Sequence, residues 1–322
     1  MNRSKKSLSS SIIMSSVVCL ALCLACLTAC DTDAVYKEEQ YKKVVYLLSR
    51  TDNIFVETYT LNETEPVRYI TVGIGGSLPN DQDVVVELEY DMSIFNRFNN
   101  VNYNNQNDYA KLLHPSRYEI DSYTVTIPAN PVDQYVKVPV KVRPLGLSPD
   151  SIYFIPLAIK SVSRYEVNEE KYNMLFRVTF ENDYATTRSV TSYVKRGILT
   201  NQSNNAMTML TGNKTVQPLT KDKIRMFIGN ETQGTSTTVA DIERLAIVVE
   251  IKSDNTVEIT PYGTMEVEML DSEGYNRYVP DLLQGMTTQR VFYLHYRYRL
   301  MNADGSHGTW MEMFETLTRI ED

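Results

Sequence analysis

The three histidines of the chain are the first candidates for metal or acid–base chemistry, because imidazole binds transition metals and titrates near neutral pH. His114, His295 and His307 are far apart in the sequence, and none has a second ligand at metal-binding spacing. All four cysteines precede residue 31, so the body of the chain has no cysteine pair that would complete a zinc site. The sequence therefore predicts neither a metal nor another cofactor.

Two pairs of glutamates have the spacing that a glycosidase requires, because such enzymes use two carboxylates about 5 to 10 Å apart. Glu87 and Glu89 share one face of a predicted strand. Glu266 and Glu268 do the same, and residues i and i+2 of a strand are roughly 7 Å apart. Both pairs alternate with apolar residues, which a solvated strand face explains completely. We therefore expect no enzyme activity.

Aromatic side chains offer a different chemistry, since their flat faces stack on the apolar faces of pyranose rings while nearby amides bond the sugar hydroxyls. Tyrosine and tryptophan suit this role because they bring a large rigid area at low entropic cost. Two groups stand out: Phe95, Phe98, Tyr103 and Tyr109 in an asparagine-rich stretch, and Tyr293, Tyr296, Tyr298 and Trp310 in the last predicted hairpin.

Four of these aromatic residues are our candidate ligand-binding residues: Tyr103, Phe98, Tyr109 and Trp310. Tyr103 is the first to test, because its neighbours are all polar and a core role is hard to see. Trp310 is also compatible with a place in the core. Residues 91–116 form a stretch longer than most sandwich loops, and long loops in compact domains are often functional. A variable surface loop without a ligand is the alternative interpretation.

Short strand-like runs must position these residues. In the first half, β-branched and aromatic residues predominate at 54–60, 67–73, 83–90, 118–127, 134–142 and 152–160. Pro139 and Pro156 lie inside two of these runs and indicate edge strands or bulges, because proline cannot donate to a ladder. Regularly spaced short strands with little helix predict an immunoglobulin-like β-sandwich.

The second half has the same character. Strands are predicted at 172–180, 223–228, 242–251, 256–260, 264–270, 289–300 and 309–317. Residues 242–248 also fit a helical turn. Turn residues at 253–256 and 302–306 indicate hairpins. We predict an all-β protein with an N-terminal immunoglobulin-like β-sandwich over residues 43–181 and a C-terminal antiparallel β-sandwich or barrel-like domain over residues 182–322.

The first thirty residues have the layout of a secretory signal. Arg3, Lys5 and Lys6 form a positive start, residues 12–27 form an apolar run, and small residues follow. The run has about 16 residues, fewer than the roughly 20 that cross a bilayer as a stable helix. We predict a signal peptide over residues 1–29 and a polar tether over residues 30–42. A transmembrane anchor is the alternative.

The segment Leu27-Thr28-Ala29-Cys30 resembles the bacterial lipobox. The resemblance implies cleavage before Cys30 and acylation of that residue, with each buried CH₂ adding about 0.8 kcal/mol to membrane binding. Asp31 and Asp33 resemble the signal for display on the outer surface in Bacteroides-type lipoproteins. An ordinary signal followed by a chance cysteine is the competing interpretation.

The whole mature chain resembles a Bacteroides-type family of two-domain surface lipoproteins, encoded beside SusC/SusD-like glycan importers. Its first half is similar to the N-terminal domain that precedes some endo-β-N-acetylglucosaminidases. The resemblance rests on the order of segments such as Leu112-Leu-His-Pro-Ser-Arg-Tyr118, Tyr153-Phe-Ile-Pro-Leu-Ala-Ile159, Val257-Glu-Ile-Thr-Pro-Tyr-Gly263 and Phe292-Tyr-Leu-His-Tyr-Arg-Tyr-Arg299. It implies a role in capturing or handling glycans and supplies no catalytic residue.

The net charge of −8, from 32 basic and 40 acidic residues, argues against a nucleic-acid partner. We expect a non-catalytic lipoprotein of the outer membrane that faces the cell exterior and binds an oligosaccharide or polysaccharide. Its expected protein partner is a SusC/SusD-like importer. The alternative is a structural or adhesive lipoprotein of fimbrial type, which would expose a long strand edge for strand addition.

The lipid anchor gives the first testable prediction. We expect mass spectrometry of the native protein to find acyl chains on residue 30, with residues 1–29 removed. An unacylated residue 30, or a polypeptide free in the cytosol, would contradict the prediction.

Overall fold

The computed structural model describes residues 38–234 and 237–320. The predicted signal peptide, Cys30 and most of the predicted tether lie outside these residues. Within the described part of the chain, no helix is long and apolar enough to span a bilayer. The all-β prediction is confirmed, since strands dominate both halves and only two short α-helices interrupt the described residues.

The first half folds into eleven strands and one α-helix. In chain order they are β1 (Val44–Leu47), β2 (Ile54–Thr60), β3 (Val67–Gly75), β4 (Val84–Tyr90), α1 (Met92–Asn102), β5 (Lys111–Leu112), β6 (Tyr118–Ile120), β7 (Thr124–Ile127), β8 (Tyr135–Val142), β9 (Tyr153–Val162), β10 (Glu166–Val167) and β11 (Asn173–Glu181).

These strands form the predicted sandwich, which we call the sandwich domain. One sheet has the order β10-β1-β3-β8-β6 and the other has the order β2-β11-β9-β4-β7, with β5 beside β9. The inward positions of both sheets, such as Val72, Val140 and Phe176, are fully buried and make one core. The outward positions of β8 are partly or fully exposed, so its sequence alternates as a half-buried strand should.

The two strand prolines occupy gaps in the hydrogen-bonding ladders. The last pair between β8 and β6 joins Val140 to Ile120, so β8 has only β3 beside it at Pro139. Strand β9 is central rather than an edge, which corrects the expectation for Pro156. This proline lies between the end of the β4 pairing at Leu157 and the start of the β5 pairing at Phe154. Neither proline therefore removes a ladder hydrogen bond that a neighbour needs.

The second half has nine strands and one α-helix among its described residues. They are β12 (Thr191–Asn201), β13 (Ala206–Pro218), β14 (Lys223–Phe227), α2 (Val239–Leu245), β15 (Ala246–Ile251), β16 (Val257–Pro261), β17 (Glu266–Met269), β18 (Arg277–Gln284), β19 (Thr287–Arg299) and β20 (Met311–Ile320).

These strands form one antiparallel sheet that curls into a nearly closed barrel, the barrel domain. Its order is β16-β15-β14-β13-β12-β20-β19-β17, with β18 also beside β19. The two ends of the sheet meet, because Val257 N donates to Asn276 O at 2.9 Å and Tyr278 N donates to Asn255 O at 2.8 Å. Of the two predicted alternatives, sandwich or barrel-like, the structure has the barrel.

A network of charged groups lies inside this barrel. Lys214 Nζ donates to Glu315 Oε2 at 2.6 Å, and both side chains are almost wholly buried. The hydroxyl of Tyr296 donates to Glu315 Oε1 at 2.8 Å, and burial followed by the Glu315 charge raises the pKa of Tyr296 well above its ordinary value. Lys195 Nζ donates to Asn230 Oδ1 at 2.8 Å. Each buried charge thus has polar partners, as burial of ions requires.

We predict that removing one member of the buried pair destabilises the protein strongly. Lys214→Met leaves the Glu315 carboxylate buried without its cation, which costs about 3–5 kcal/mol of unfolding free energy. The double variant Lys214→Met/Glu315→Leu removes both charges and loses less. The control is Lys252→Met, since Lys252 forms only exposed ion pairs, which contribute little to stability. Urea unfolding measures all three, and Lys214→Met as stable as the control would contradict the prediction.

Candidate functional site

Three of the four candidate residues lie together on the sandwich domain. The ring centroids of Phe98 and Tyr103 are 6.1 Å apart, and those of Tyr103 and Tyr109 are also 6.1 Å apart. All three side chains are partly exposed. We call Phe98, Tyr103 and Tyr109 the aromatic platform. Trp310 belongs to the barrel domain and is not part of it.

Helix α1 positions the platform, although its asparagines favour turns over helix. Asp91 caps the N-terminus by accepting a hydrogen bond from Ser93 N. Ile94 and Phe95 are buried on the outer face of the sheet, against Phe154 among others. This packing outweighs the weak helix propensity of the asparagines. The segment expected as a long loop therefore contains a helix that runs through Asn102.

The platform rests on a small core of its own. The rings of Phe98 and Phe154 meet edge to face at 4.9 Å, and Leu175 is fully buried in the same cluster. Tyr103 packs against this cluster, so its polar sequence neighbours concealed a real packing role. A rigid backing of this kind preserves the orientation of the exposed ring surfaces, which lowers the entropic cost of binding a ligand.

Asn99 fastens the loop that carries the platform. Its side chain is buried; Nδ2 donates to Ala110 O at 3.2 Å, and Oδ1 accepts from Ala110 N at 2.9 Å. These two bonds tie the helix to the strand that follows the loop. The hydroxyl of Tyr109 donates to Asn100 Oδ1 at 3.0 Å. The asparagine side chains thus bond the backbone of the loop and place polar groups around the rings.

Arg177 lies beside the platform and was missed by the sequence analysis. Burial raises the pKa of the Tyr103 hydroxyl, the positive charge of Arg177 opposes this, and Asp108 adds to it. Burial also lowers the pKa of the Arg177 guanidinium. The available signal was a single charge inside the apolar run of β11, where Arg177 stands between Phe176 and Val178. Such an interruption of a buried strand marks an outward-facing polar position.

Trp310 has a different environment. The guanidinium carbons of Arg297 and Arg299 lie 4.5 and 4.7 Å from its ring centroids. Arg297 Nε donates to Glu268 at 2.8 Å, and Arg299 Nε donates to Glu266 at 2.6 Å. Cation–π stacking occupies the aromatic surface that a sugar would need. The aromatic platform is therefore the better candidate site.

Three of the four glutamates considered for catalysis have ordinary surface contacts, and Glu89 is exposed. Glu266 and Glu268 bind the two arginines at Trp310. Glu87 accepts from Ser161 Oγ at 3.1 Å and lies 3.6 Å from Lys160 Nζ. In residues 38–234 and 237–320, no group of three or more His, Cys, Asp or Glu side chains is arranged to hold a metal ion.

Comparison with known proteins places both halves of the chain. A family model described as an N-terminal domain matches residues 40–166, and one described as C-terminal matches residues 172–318. Since the two models together span most of the chain, it belongs to the family of two-domain proteins that they define. No curated protein matches the chain.

Solved structures from Bacteroides have the same fold. A protein of unknown function from Bacteroides ovatus is 15% identical, with a TM-score of 0.67 over 86% of this chain and 94% of that one. A multidomain protein including DUF1735 from the same organism is 14% identical over the same shares, with a TM-score of 0.63. An auxiliary nutrient binding protein from Bacteroides thetaiotaomicron is 11% identical over 85% and 94%, with a TM-score of 0.58.

We predict that Asn99→Ala loosens the platform loop. The variant leaves the buried N–H and C=O of Ala110 without their partners, which costs about 1–3 kcal/mol of unfolding free energy. Asn102→Ala is the control, because Asn102 is exposed and bonds only within its own helix; its cost is about 0.5 kcal/mol or less. Urea unfolding and limited proteolysis of residues 103–110 measure the two effects. Equal behaviour of both variants would contradict the role of Asn99.

Proposed function

We propose that the protein is a non-catalytic glycan-binding lipoprotein whose sugar ligand stacks on the aromatic platform. The observation that carries this proposal is the grouping of Phe98 of α1 with Tyr103 and Tyr109 of the anchored loop that follows, with ring surface left exposed. Surface aromatic groups of this size on a rigid backing favour ligands with flat apolar faces. Pyranose rings have such faces, and their hydroxyl groups need polar neighbours.

The polar neighbours of the platform suit those hydroxyl groups. Asn100 and Asn102 at the end of α1 and Asn104 in the loop after it are exposed, and each amide group has both donors and acceptors. A ligand that bonds through its hydroxyls and stacks through its ring requires this combination. The geometry needs no metal and no residue that changes its charge during binding. Binding rather than bond cleavage is therefore the function that the site supports.

Similarity to binding proteins supports the same proposal. One neighbour of the same fold is described as an auxiliary nutrient binding protein, and it covers most of the chain. We propose that this protein likewise captures a nutrient, a glycan, before it enters the cell. Acyl chains on Cys30 would hold it on the outer face of the outer membrane, where a SusC/SusD-like importer would receive the ligand.

The strand edges of the sandwich domain disfavour the adhesive alternative. A subunit that polymerises by strand addition needs a long accessible edge. In the described part of the chain, the edge strands of the sandwich domain are two to seven residues long, with β2 the longest. The ends of the barrel sheet meet, but among the described strands residues 206–215 of β13 pair only with β12 and leave one strand edge open. The adhesive alternative therefore rests on this edge of β13.

We predict that Tyr103→Ala weakens glycan binding about tenfold, because stacking contacts are worth about 1–2 kcal/mol. A glycan array identifies a ligand, and affinity gels then compare the variants. Tyr69→Ala is the control, since Tyr69 is an exposed tyrosine on the opposite sheet. Trp310→Ala tests the remaining candidate and should retain binding.

Two outcomes would contradict this proposal. The first is unchanged affinity in Tyr103→Ala when the variant is correctly folded. The second is the absence of binding to any glycan on the array, which would favour the structural or adhesive alternative.

A further inference from the structure

A cleft of about 310 Å³ lies between the two domains. Arg177 of β11 forms part of one wall, and Thr215 and Gln217 of β13 form part of the other. The segment 186–191, which connects the domains, lines it with hydroxyl groups and with Arg188. We call this the inter-domain cleft. Arg177 belongs both to the cleft and to the surroundings of Tyr103.

The cleft is positively charged although the whole protein is acidic. Two arginines line it, and no aspartate or glutamate is among its lining residues. Asp150 follows the lining residue Pro149, but its carboxylate accepts hydrogen bonds from Arg225, Gln217 and Gln233. Outside the lining, Glu57 interacts electrostatically with Arg188, but its carboxylate also pairs with Arg68 at 3.8 Å. The lining itself therefore keeps an excess of positive charge, although the net charge of the chain is −8. Such a concentration of charge attracts anions.

Arg177 has no protein partner to neutralise it. Its Nε is fully buried and has no hydrogen-bond partner among the described residues, and the side chain forms no ion pair within residues 38–234 and 237–320. Burying part of a guanidinium without an anion is unfavourable. Most other partly buried cations here do have partners; Arg225, for example, binds Asp150 and Lys214 binds Glu315. An unpartnered cation that lines a cleft is typical of a site for an anionic ligand.

We propose that the inter-domain cleft binds the acidic group of an acidic glycan, with Arg177 as its principal contact and Arg188 as a second cation. The ligand is a sugar that carries a carboxylate or a sulfate ester. This inference rests on the proposed glycan binding and deepens it. The planar guanidinium donates in a fork that matches both groups. The Thr and Ser hydroxyls of the cleft would bond the sugar hydroxyls, while a neighbouring ring stacks on Tyr103.

The test is isothermal titration of the detergent-solubilised, full-length protein against two matched pairs of probes. Oligogalacturonides carry a carboxylate on each sugar, which their methyl esters replace with a neutral ester. Dextran sulfate oligosaccharides and plain dextran oligosaccharides differ only in the sulfate esters. We expect the acidic member of one pair to bind at least about tenfold more tightly, which is the usual strength of a charged hydrogen bond. A difference within the galacturonide pair would identify the acidic group as a carboxylate, and a difference within the dextran pair would identify it as a sulfate ester.

Variants of the cleft arginines test whether the difference in affinity between acidic and neutral probes arises in the cleft. Arg177→Gln and Arg188→Gln should each reduce this difference in affinity, and Arg177→Gln should have the larger effect. The affinity for the neutral probes should not change. Arg188 is exposed, so its variant remains informative if Arg177→Gln fails to fold. Arg196→Gln, an exposed arginine of β12 outside the cleft lining, is the control and should leave the difference intact. Added salt should weaken only the acidic probes.

Three results would overturn the inference. They are equal affinities within both pairs, a preference that survives both cleft variants, and no binding of any of the four probes. Equal affinities that still depend on Tyr103 would leave the proposed glycan binding intact. The proposed glycan binding has its own test, because it would be contradicted if no glycan on the array bound the protein.

Discussion

One buried guanidinium holds the two domains together. The Arg225 side chain of β14 is 1% exposed, and its Nη2 donates to Asp150 Oδ1 of the sandwich domain at 2.5 Å. Gln217 and Gln233 donate to the same carboxylate at 3.0 and 2.9 Å. Burial raises the pKa of Asp150, but the hydrogen bonds from Arg225 and the two glutamines outweigh it and lower the pKa overall. Removing the Asp150 carboxylate alone would leave the Arg225 charge buried without its anion, which costs several kcal/mol.

The shape of the inter-domain cleft follows from this contact. Pro149 and Gln217, which line the cleft, are the immediate neighbours of Asp150 in sequence and in hydrogen bonding. The connection between the domains is also fixed, because Asn182 Nδ2 donates to the carbonyl oxygens of Thr220 and Lys223 in the barrel domain. Arg177 is therefore kept next to Tyr103 on one side and opposite β13 on the other. The sandwich domain and the barrel domain have separate cores, and these contacts fix their relative position at the site.

The strands of the sandwich domain could be predicted because their residues obey simple alternation. β2 covers the predicted residues 54–60, and β8 covers 135–142 against a prediction of 134–142. The strands of the barrel domain were harder to predict. Strands β12 and β13 are among its longest and were not predicted, because several of their inward positions are polar. Lys195 and Lys214 face the buried network with Glu315, so the apolar periodicity that indicates a strand is broken.

The candidate site, like the fold, could be predicted from the sequence only in part. The residue types suggested Phe98, Tyr103 and Tyr109, and the structure brings these three together. The helix beneath them depends on long-range packing against Phe154, which the local sequence does not encode. Arg177 depends on a contact between domains, so no local pattern could assign it to a cleft. Sequence chemistry can identify residues suited to a ligand, whereas a tertiary contact decides which of them share a surface.

The central claim is that an acidic sugar occupies the platform and the cleft at the same time. A crystal structure of the protein with its acidic oligosaccharide tests this most directly. The account predicts one sugar ring stacked on Tyr103 and a carboxylate or sulfate oxygen within hydrogen-bonding distance of Arg177. An oligosaccharide bound elsewhere, or with its acidic group in solvent, would contradict it.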